Sequence, residues 1–369
     1  MATITSYETK AGKRWRVRYR KPDRSQTDKR GFKTKRDASE FAATVETSKI
    51  TGTYIDPSRG KMTVGELYEK WITTKRATLK PSSLHSLETS WRVHVKPEWE
   101  NVPLVGVEHE DVQAWVDSIG KSHTTVVRAY GILSGVMALA ERGKRVSADP
   151  TRNIALPEKR SGKRRRYLTH AELIRLAEHS GDRGTLVLLL GWCGLRWGEA
   201  IELRVRDLNM LKRRIHVSRA AVETGGVIHV GSPKNGTERD VPMPKALADL
   251  IARDCDGKGR DDLLFHDKHG HHLRRTRVSA GSRSWFKTAL ESAGIEPMTL
   301  HDLRHTTASL AVQSGANVKA VQRMLGHASA AMTLDIYSDL FDSDLEALGD
   351  RLDEVIAPLS VGKMWAKEA

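Results

Sequence analysis

Residues 14–20, Arg-Trp-Arg-Val-Arg-Tyr-Arg, alternate without a break. A strand therefore carries Trp15, Val17 and Tyr19 on one face and Arg14, Arg16, Arg18 and Arg20 on the other. Lys21 to Arg24 read as a turn, and Arg30 to Lys35, with Lys33 and Lys35, as a further strand. Near Arg36 the period changes, and Ala38, Phe41, Ala42 and Val45 recur at helical spacing. Residues 1–56 thus form a small β-sheet-plus-helix module, closed by a Pro-, Gly- and Ser-bearing linker from Ile55 to Gly60.

Thr63 and Glu66 make a capping box that opens a helix with Leu67, Tyr68 and Trp71 toward a core. A second helix runs from about Thr124 to Arg142, with Val127, Leu133, Val136, Met137 and Ala140 on its apolar face and Gly143 ending it. Residues 62–157 read as an all-α domain of four or five helices. Residues 158–168 are a basic linker. Thr169 and Glu172 form another capping box, and residues 169–369 continue with helices at 170–179 and 184–192, strands within 213–243, and helices to the end. The expectation is a mixed α/β multidomain chain whose last domain is mainly α with a small antiparallel sheet. Leu345, Leu348, Leu352, Val355 and Ile356 form an apolar stripe, either packed on its own domain or docked on a neighbour.

Charge changes the picture. The chain has 369 residues with 61 Lys plus Arg against 46 Asp plus Glu, a net charge of +15. Fourteen of those cations, against seven acids, fall in residues 1–56. A cationic face that dense repels itself unless an anion covers it, and DNA phosphate is the partner it suits. Lys159 to Arg166 hold six cations in eight residues, with Lys163, Arg164, Arg165 and Arg166 consecutive. That run is a tether that also lies along a DNA backbone. Two cysteines, Cys193 and Cys255, are too few for a disulfide framework or zinc site. The N-terminus lacks a signal-peptide pattern, and the apolar run Leu186–Leu190 is far short of the roughly 20 residues that span a bilayer. A cytoplasmic protein with no membrane partner is expected.

The candidate chemistry lies in the last 200 residues. Tyr337 follows Leu325-Gly326-His327 by ten positions and His301-Asp302-Leu303-Arg304 by thirty-three. Free tyrosine, with a pKa near 10, is phenolate in only about one molecule in a thousand at neutral pH, so a tyrosine nucleophile needs cations or a base nearby. Arg196, in Gly194-Leu195-Arg196-Trp197-Gly198-Glu199, and Arg304 offer planar forks that match phosphate oxygens. Lys234 sits in Ser-Pro-Lys-Asn-Gly-Thr, read as a two-residue hairpin turn whose tip delivers a proton; Lys212 and Lys245 are its nearby competitors. Glu199 orients Arg196. His305 and Cys193 read as structural, and His266, His269, His271 and His272 as a solvent- or DNA-facing loop without a zinc ligand set. Gly191, Gly194 and Gly198 fit neither phosphate-loop pattern and read as packing and helix-entry positions.

Arginine, lysine, histidine, arginine, histidine and tyrosine in that order resemble the active-site set of the tyrosine recombinases, the family of phage integrases. The resemblance implies Arg196, Lys234, His301, Arg304, His327 and Tyr337 as catalytic residues. It assigns proton transfer from Tyr337 to His301 and a hydrogen bond to the scissile phosphate to His327. It implies an arm-type DNA-binding N-terminal module, an all-α core-binding domain and a catalytic domain whose tail is exchanged within a homotetramer on DNA. No cofactor or metal is implied, and a host DNA-bending protein and an excisionase are the expected accessories. A type IB topoisomerase and a non-catalytic DNA-binding regulator are the alternatives.

Overall fold

The computed structural model describes residues 2–22, 24–51, 54, 56, 59–159, 166–234, 236–276, 278–279, 281–334, 352–353 and 356. It divides into two compact units, Met1–Ser161 and Gly162–Ala369.

The first unit opens with an antiparallel sheet in the order β1 (Thr3–Thr9), β2 (Gly12–Arg20), β3 (Gln26–Phe32). The alternation in β2 acts as expected: Val17 and Tyr19 are buried, Arg18 and Arg20 exposed. Arg14 and Arg16 are half-buried, and Arg16 Nε donates to Thr5 Oγ1 at 2.8 Å. The third strand lies earlier than residues 30–35. Pairing passes from Trp15–Phe32 to Arg16–Arg30, which leaves Gly31, at φ +96°, as the extra residue of a bulge. Lys33 falls outside the strand, because the chain turns there to cap α1 (Lys35–Ile50) through Thr34, whose side chain accepts from the Asp37 amide at 3.1 Å. Ala38, Ala42 and Val45 of α1 bury against Val17 and Tyr19, with Phe41 half-buried beside them.

The helices α2 (Val64–Arg76), α3 (Pro81–Ser90), α4 (Lys96–Trp99), α5 (His109–Ser118) and α6 (His123–Arg142) share a separate apolar core. A π-turn at Trp91–Val95 joins α3 to α4. The Thr63–Glu66 capping box is formed in both directions, and Leu67, Tyr68 and Trp71 are buried. On α6 the buried member is Val126, with Val127 only half-buried. Val126 keeps the three- and four-residue spacing to Ala129, Leu133 and Met137 that one helix face requires.

The second unit begins with α7 (His170–Glu178), entered through the Thr169–Glu172 capping box, and α8 (Gly184–Cys193), which is buried along almost its whole length. Leu168, two per cent exposed, and Arg166, paired with Glu172 at 3.1 Å and Glu296 at 3.0 Å, already belong to this unit. Arg166 is therefore held by protein carboxylates, unlike the free basic tether expected. Lys163, Arg164 and Arg165 lie outside the described residues.

After α9 (Trp197–Glu202) come β4 (Leu208–Asn209), β5 (Arg214–Val217), β6 (Ala220–Thr224), β7 (Val227–Gly231) and β8 (Arg239–Pro242). They make a three-stranded antiparallel sheet, β4-β5-β8, and a separate β6-β7 hairpin. The hairpin turn is Gly225-Gly226, both at positive φ, whereas Asn235, of the expected Asn-Gly turn, lies outside the described residues. β8 pairs with β5 and not with β7, so Lys234 sits in a crossing connection, within a turn where the Gly236 amide bonds the Pro233 carbonyl at 2.9 Å. The helices α10 (Lys245–Asp254), α11 (Trp285–Ser292), α12 (Leu300–Gln313) and α13 (Val318–Leu325) complete the unit. Among the described residues no helix is long and apolar enough to cross a membrane. Tyr337 and most of the apolar stripe after it lie outside the described residues.

Candidate active site

Two left-handed glycines shape the site. Gly194, at φ +66°, ends α8, and a Cβ there would meet Leu325 Cδ2 at 2.6 Å. The close approach lets the Gly194 carbonyl accept Arg304 Nη1 at 2.5 Å. Gly326, at φ +63°, ends α13, where the His327 amide bonds back to the Gln322 carbonyl at 3.1 Å. That turn exposes the Leu325 carbonyl to Arg304 Nη2 and the Gly326 carbonyl to Arg196 Nη2, the latter at 3.3 Å.

Arg196 is the N-cap of α9. Its amide donates to Glu199 Oε2 at 2.8 Å and its Nη1 to Glu199 Oε1 at 3.0 Å, so Glu199 orients it as expected. Gly198 lets α9 press on β6, since a Cβ would stand 2.4 Å from the Ala221 carbonyl. Arg304 is three per cent exposed on α12, which Thr299 and Asp302 cap reciprocally. His301, one turn before it, is exposed at the surface and packs edge-on against buried His305, ring centroids 4.9 Å apart. His327 Nδ1 lies 3.0 Å from the hydroxyl of buried Thr333.

The electrostatics are cationic. Burial first, then the Arg304 and Arg196 guanidiniums, push the His327 pKa down to about 4. His301 is lowered in the same way, first by desolvation of its ring and then by the Arg304 charge. Glu199 is buried, which alone would raise its carboxyl, but the Arg239 hydrogen bonds and charge outweigh burial and hold it below the usual range. The guanidiniums of Arg304, Arg196 and Arg239 all act on His327, and Glu199 pairs with two of them, Arg196 and Arg239. The group borders an open cleft of about 610 Å³, lined by Arg196, Arg239, Arg323, Gln322 and His327 on one side and by Glu238 and Asp240 on another. The guanidinium side of the cleft offers donors of the kind that bind phosphodiester oxygens.

Four of the six predicted catalytic residues, Arg196, His301, Arg304 and His327, are therefore brought together. Lys234 is exposed, with its neighbours Pro233 and Thr237 on the cleft wall. In the N-terminal module Arg18, Arg20, Lys33 and Lys35 are exposed. His272 departs from the expected open loop: its Nε2 lies 2.6 Å from Glu202, a carboxylate one per cent exposed that also pairs with Arg204 at 3.2 Å. Cys193 is fully buried, with its thiol pushed up to about 12 by burial, a core residue.

Arg239 was not singled out by any motif. Its guanidinium takes both oxygens of Glu199, at 3.0 and 2.7 Å, and its Nε donates to the Met324 carbonyl at 3.0 Å. The one signal for it is phase, since Arg239 shares a face of β8 with buried Val241.

Residues 166–344 match the model of the phage integrase family. The integrase of Mycobacterium phage D29 is 31% identical over 284 residues, which cover 74% of each chain. The integrase of transposon Tn1549, solved in complex with transposon right end DNA, superposes with a TM-score of 0.65 at 23% identity, over 78% of this chain and all of that one. A lambda integrase tetramer bound to a Holliday junction gives 0.57 at 17% identity, over 88% and 96%. The chain belongs to the phage integrase family.

Proposed function

We propose that this chain is a tyrosine-type site-specific recombinase that integrates and excises phage or mobile-element DNA through Tyr337. The Tyr337 oxygen attacks a DNA phosphorus, and the bond to the 5′ oxygen breaks. The products are a 3′-phosphotyrosyl link and a 5′ hydroxyl. A 5′ hydroxyl from the partner duplex then attacks the link and releases the phenol, so the number of phosphodiester bonds is conserved. Arg196 and Arg304 bind the non-bridging oxygens, and Glu199 holds Arg196 for the task. His327 donates to the same phosphate: in the tautomer whose Nδ1 accepts from the Thr333 hydroxyl, 3.0 Å away, the neutral ring presents its Nε2 proton outward. His301 takes the Tyr337 proton, and Lys234 protonates the leaving 5′ oxygen.

The observation that supports this most is the convergence of the Arg304 and Arg196 guanidiniums on His327 at the edge of that cleft. Residues 1–56 would bind arm-type sites through Arg14, Arg16, Arg18, Arg20, Lys33 and Lys35, and residues 62–157 core-type sites, with Lys163 to Arg165 as the link. The working form is a homotetramer on two duplexes, as lambda integrase forms on a Holliday junction, acting in the cytoplasm at the nucleoid with a host DNA-bending protein and an excisionase.

A suicide substrate, nicked so that the short 3′ fragment diffuses away after cleavage, tests the chemistry. The parent chain should accumulate a covalent protein–DNA adduct and Tyr337→Phe none. Adduct from Tyr337→Phe removes the nucleophile assignment. Supercoil relaxation of one duplex without recombinant product assigns the chain to topoisomerase chemistry instead.

A further inference from the structure

Arg239 stands outside the six residues to which the reaction is assigned, yet three elements converge on its guanidinium. From β8 it grips Glu199 of α9 with two nitrogens, and with the third it holds the Met324 carbonyl in the last turn of α13. Its Cδ lies 3.0 Å from where a Cβ on Gly326 would stand, so the stem fills the space that the left-handed glycine leaves. The side chain is nine per cent exposed.

We propose that Arg239 is a positioning residue that locks Arg196 and the 324–327 turn into one register, so that Arg196 and His327 meet the same phosphate. The inference rests on the recombinase reading for the identity of that phosphate. Three of its five N–H groups go to Glu199 and Met324, and through these neighbours Arg239 acts on the site. Arginine is needed because a planar fork can hold both carboxylate oxygens while its Nε points elsewhere. A lysine ammonium keeps the charge and loses that division. Gln322 works on the same turn from the other side, through Nε2 to the His327 carbonyl at 3.0 Å.

The test compares the full-length parent chain with Arg239→Lys and Arg239→Gln, each below its melting temperature and normalised to folded protein. On a suicide DNA substrate the cleavage rate at saturating DNA should fall roughly 100-fold in both, the loss a misplacement of about an ångström produces. The half-saturating DNA concentration should move by less than about threefold, because uniform binding is untouched. Imidazole NMR should show His327, which titrates at about 4 in the parent, moving up toward the ordinary 6.5. The shift in Arg239→Lys is the informative one, because charge is retained there and only the hold on the turn is lost. Cleavage per folded molecule within about twofold of the parent overturns the proposal, and so does an unmoved His327 titration in both variants. If the parent itself forms no adduct, the recombinase reading falls, and the His327 titration still decides the role of Arg239.

Discussion

Glu199→Gln is the perturbation with the sharpest expected consequence. The parent carboxylate is two per cent exposed and receives Arg196 at 3.0 Å, Arg239 at 3.0 and 2.7 Å, and the Arg196 amide at 2.8 Å. Glutamine keeps the shape but replaces one acceptor oxygen by a donor, which then faces a guanidinium. Breaking a buried ion pair from one side costs about 3–5 kcal/mol. The Arg196 side chain is 21% exposed and can recover some water, so we take the lower end, about 3 kcal/mol. For a unit of roughly 200 residues each kcal/mol is worth about 2–4 °C, which gives a fall in Tm of about 6–12 °C.

The sign with pH follows from the depressed carboxyl. Its contribution is fully present at neutral pH, above the unfolded carboxylate pKa, and is lost as pH falls through the lower folded value. The gap between parent and variant in urea midpoint should therefore be widest near pH 7 and close below the ordinary carboxylate range. The double variant Glu199→Gln, Arg239→Gln should cost less than the two singles added, by about 0.5–3 kcal/mol, because both ends of one pair are gone. A drop in Tm of under about 2 °C at pH 7 would mean less than about 1 kcal/mol resides in Glu199, and the reasoning fails.

Two further outcomes follow from the same site. Lys234→Ala should cleave ordinary DNA slowly but regain most of its rate on a substrate with sulfur in place of the leaving 5′ oxygen, since a thiolate departs without a proton; equal defects on both substrates exclude Lys234 as the acid. His327 is neutral in the folded chain down to about pH 4, whereas an unfolded histidine takes a proton below about 6.5. Acid between those values should thus destabilise the parent more than His327→Gln, as read from urea midpoints at pH 7 and 5, and parallel profiles would contradict the buried, cation-crowded environment.

What the sequence discloses depends on how far apart the partners lie. Thr63 with Glu66 and Thr169 with Glu172 are three residues apart, so both helix starts are legible and both are formed. The Gly194–Glu199 motif is legible for the same reason, because the Arg196–Glu199 pair closes within one helical turn. The phase of α6 is legible in Leu133, Val136, Met137 and Ala140, all buried; only at its start does the choice between adjacent Val126 and Val127 rest on packing. A strong local turn signal such as Asn-Gly says nothing about which strands pair. Gly225-Gly226 closes the hairpin, and β8 returns to β5, whose partner residues lie more than twenty positions back. Arg239 is the extreme case, with Glu199 40 residues away and Met324 85. Residues able to carry the reaction can be read as an ordered series of types, since each type is chosen for its chemistry. The residue that holds them together is chosen for reach between elements, and nothing within its own segment records that.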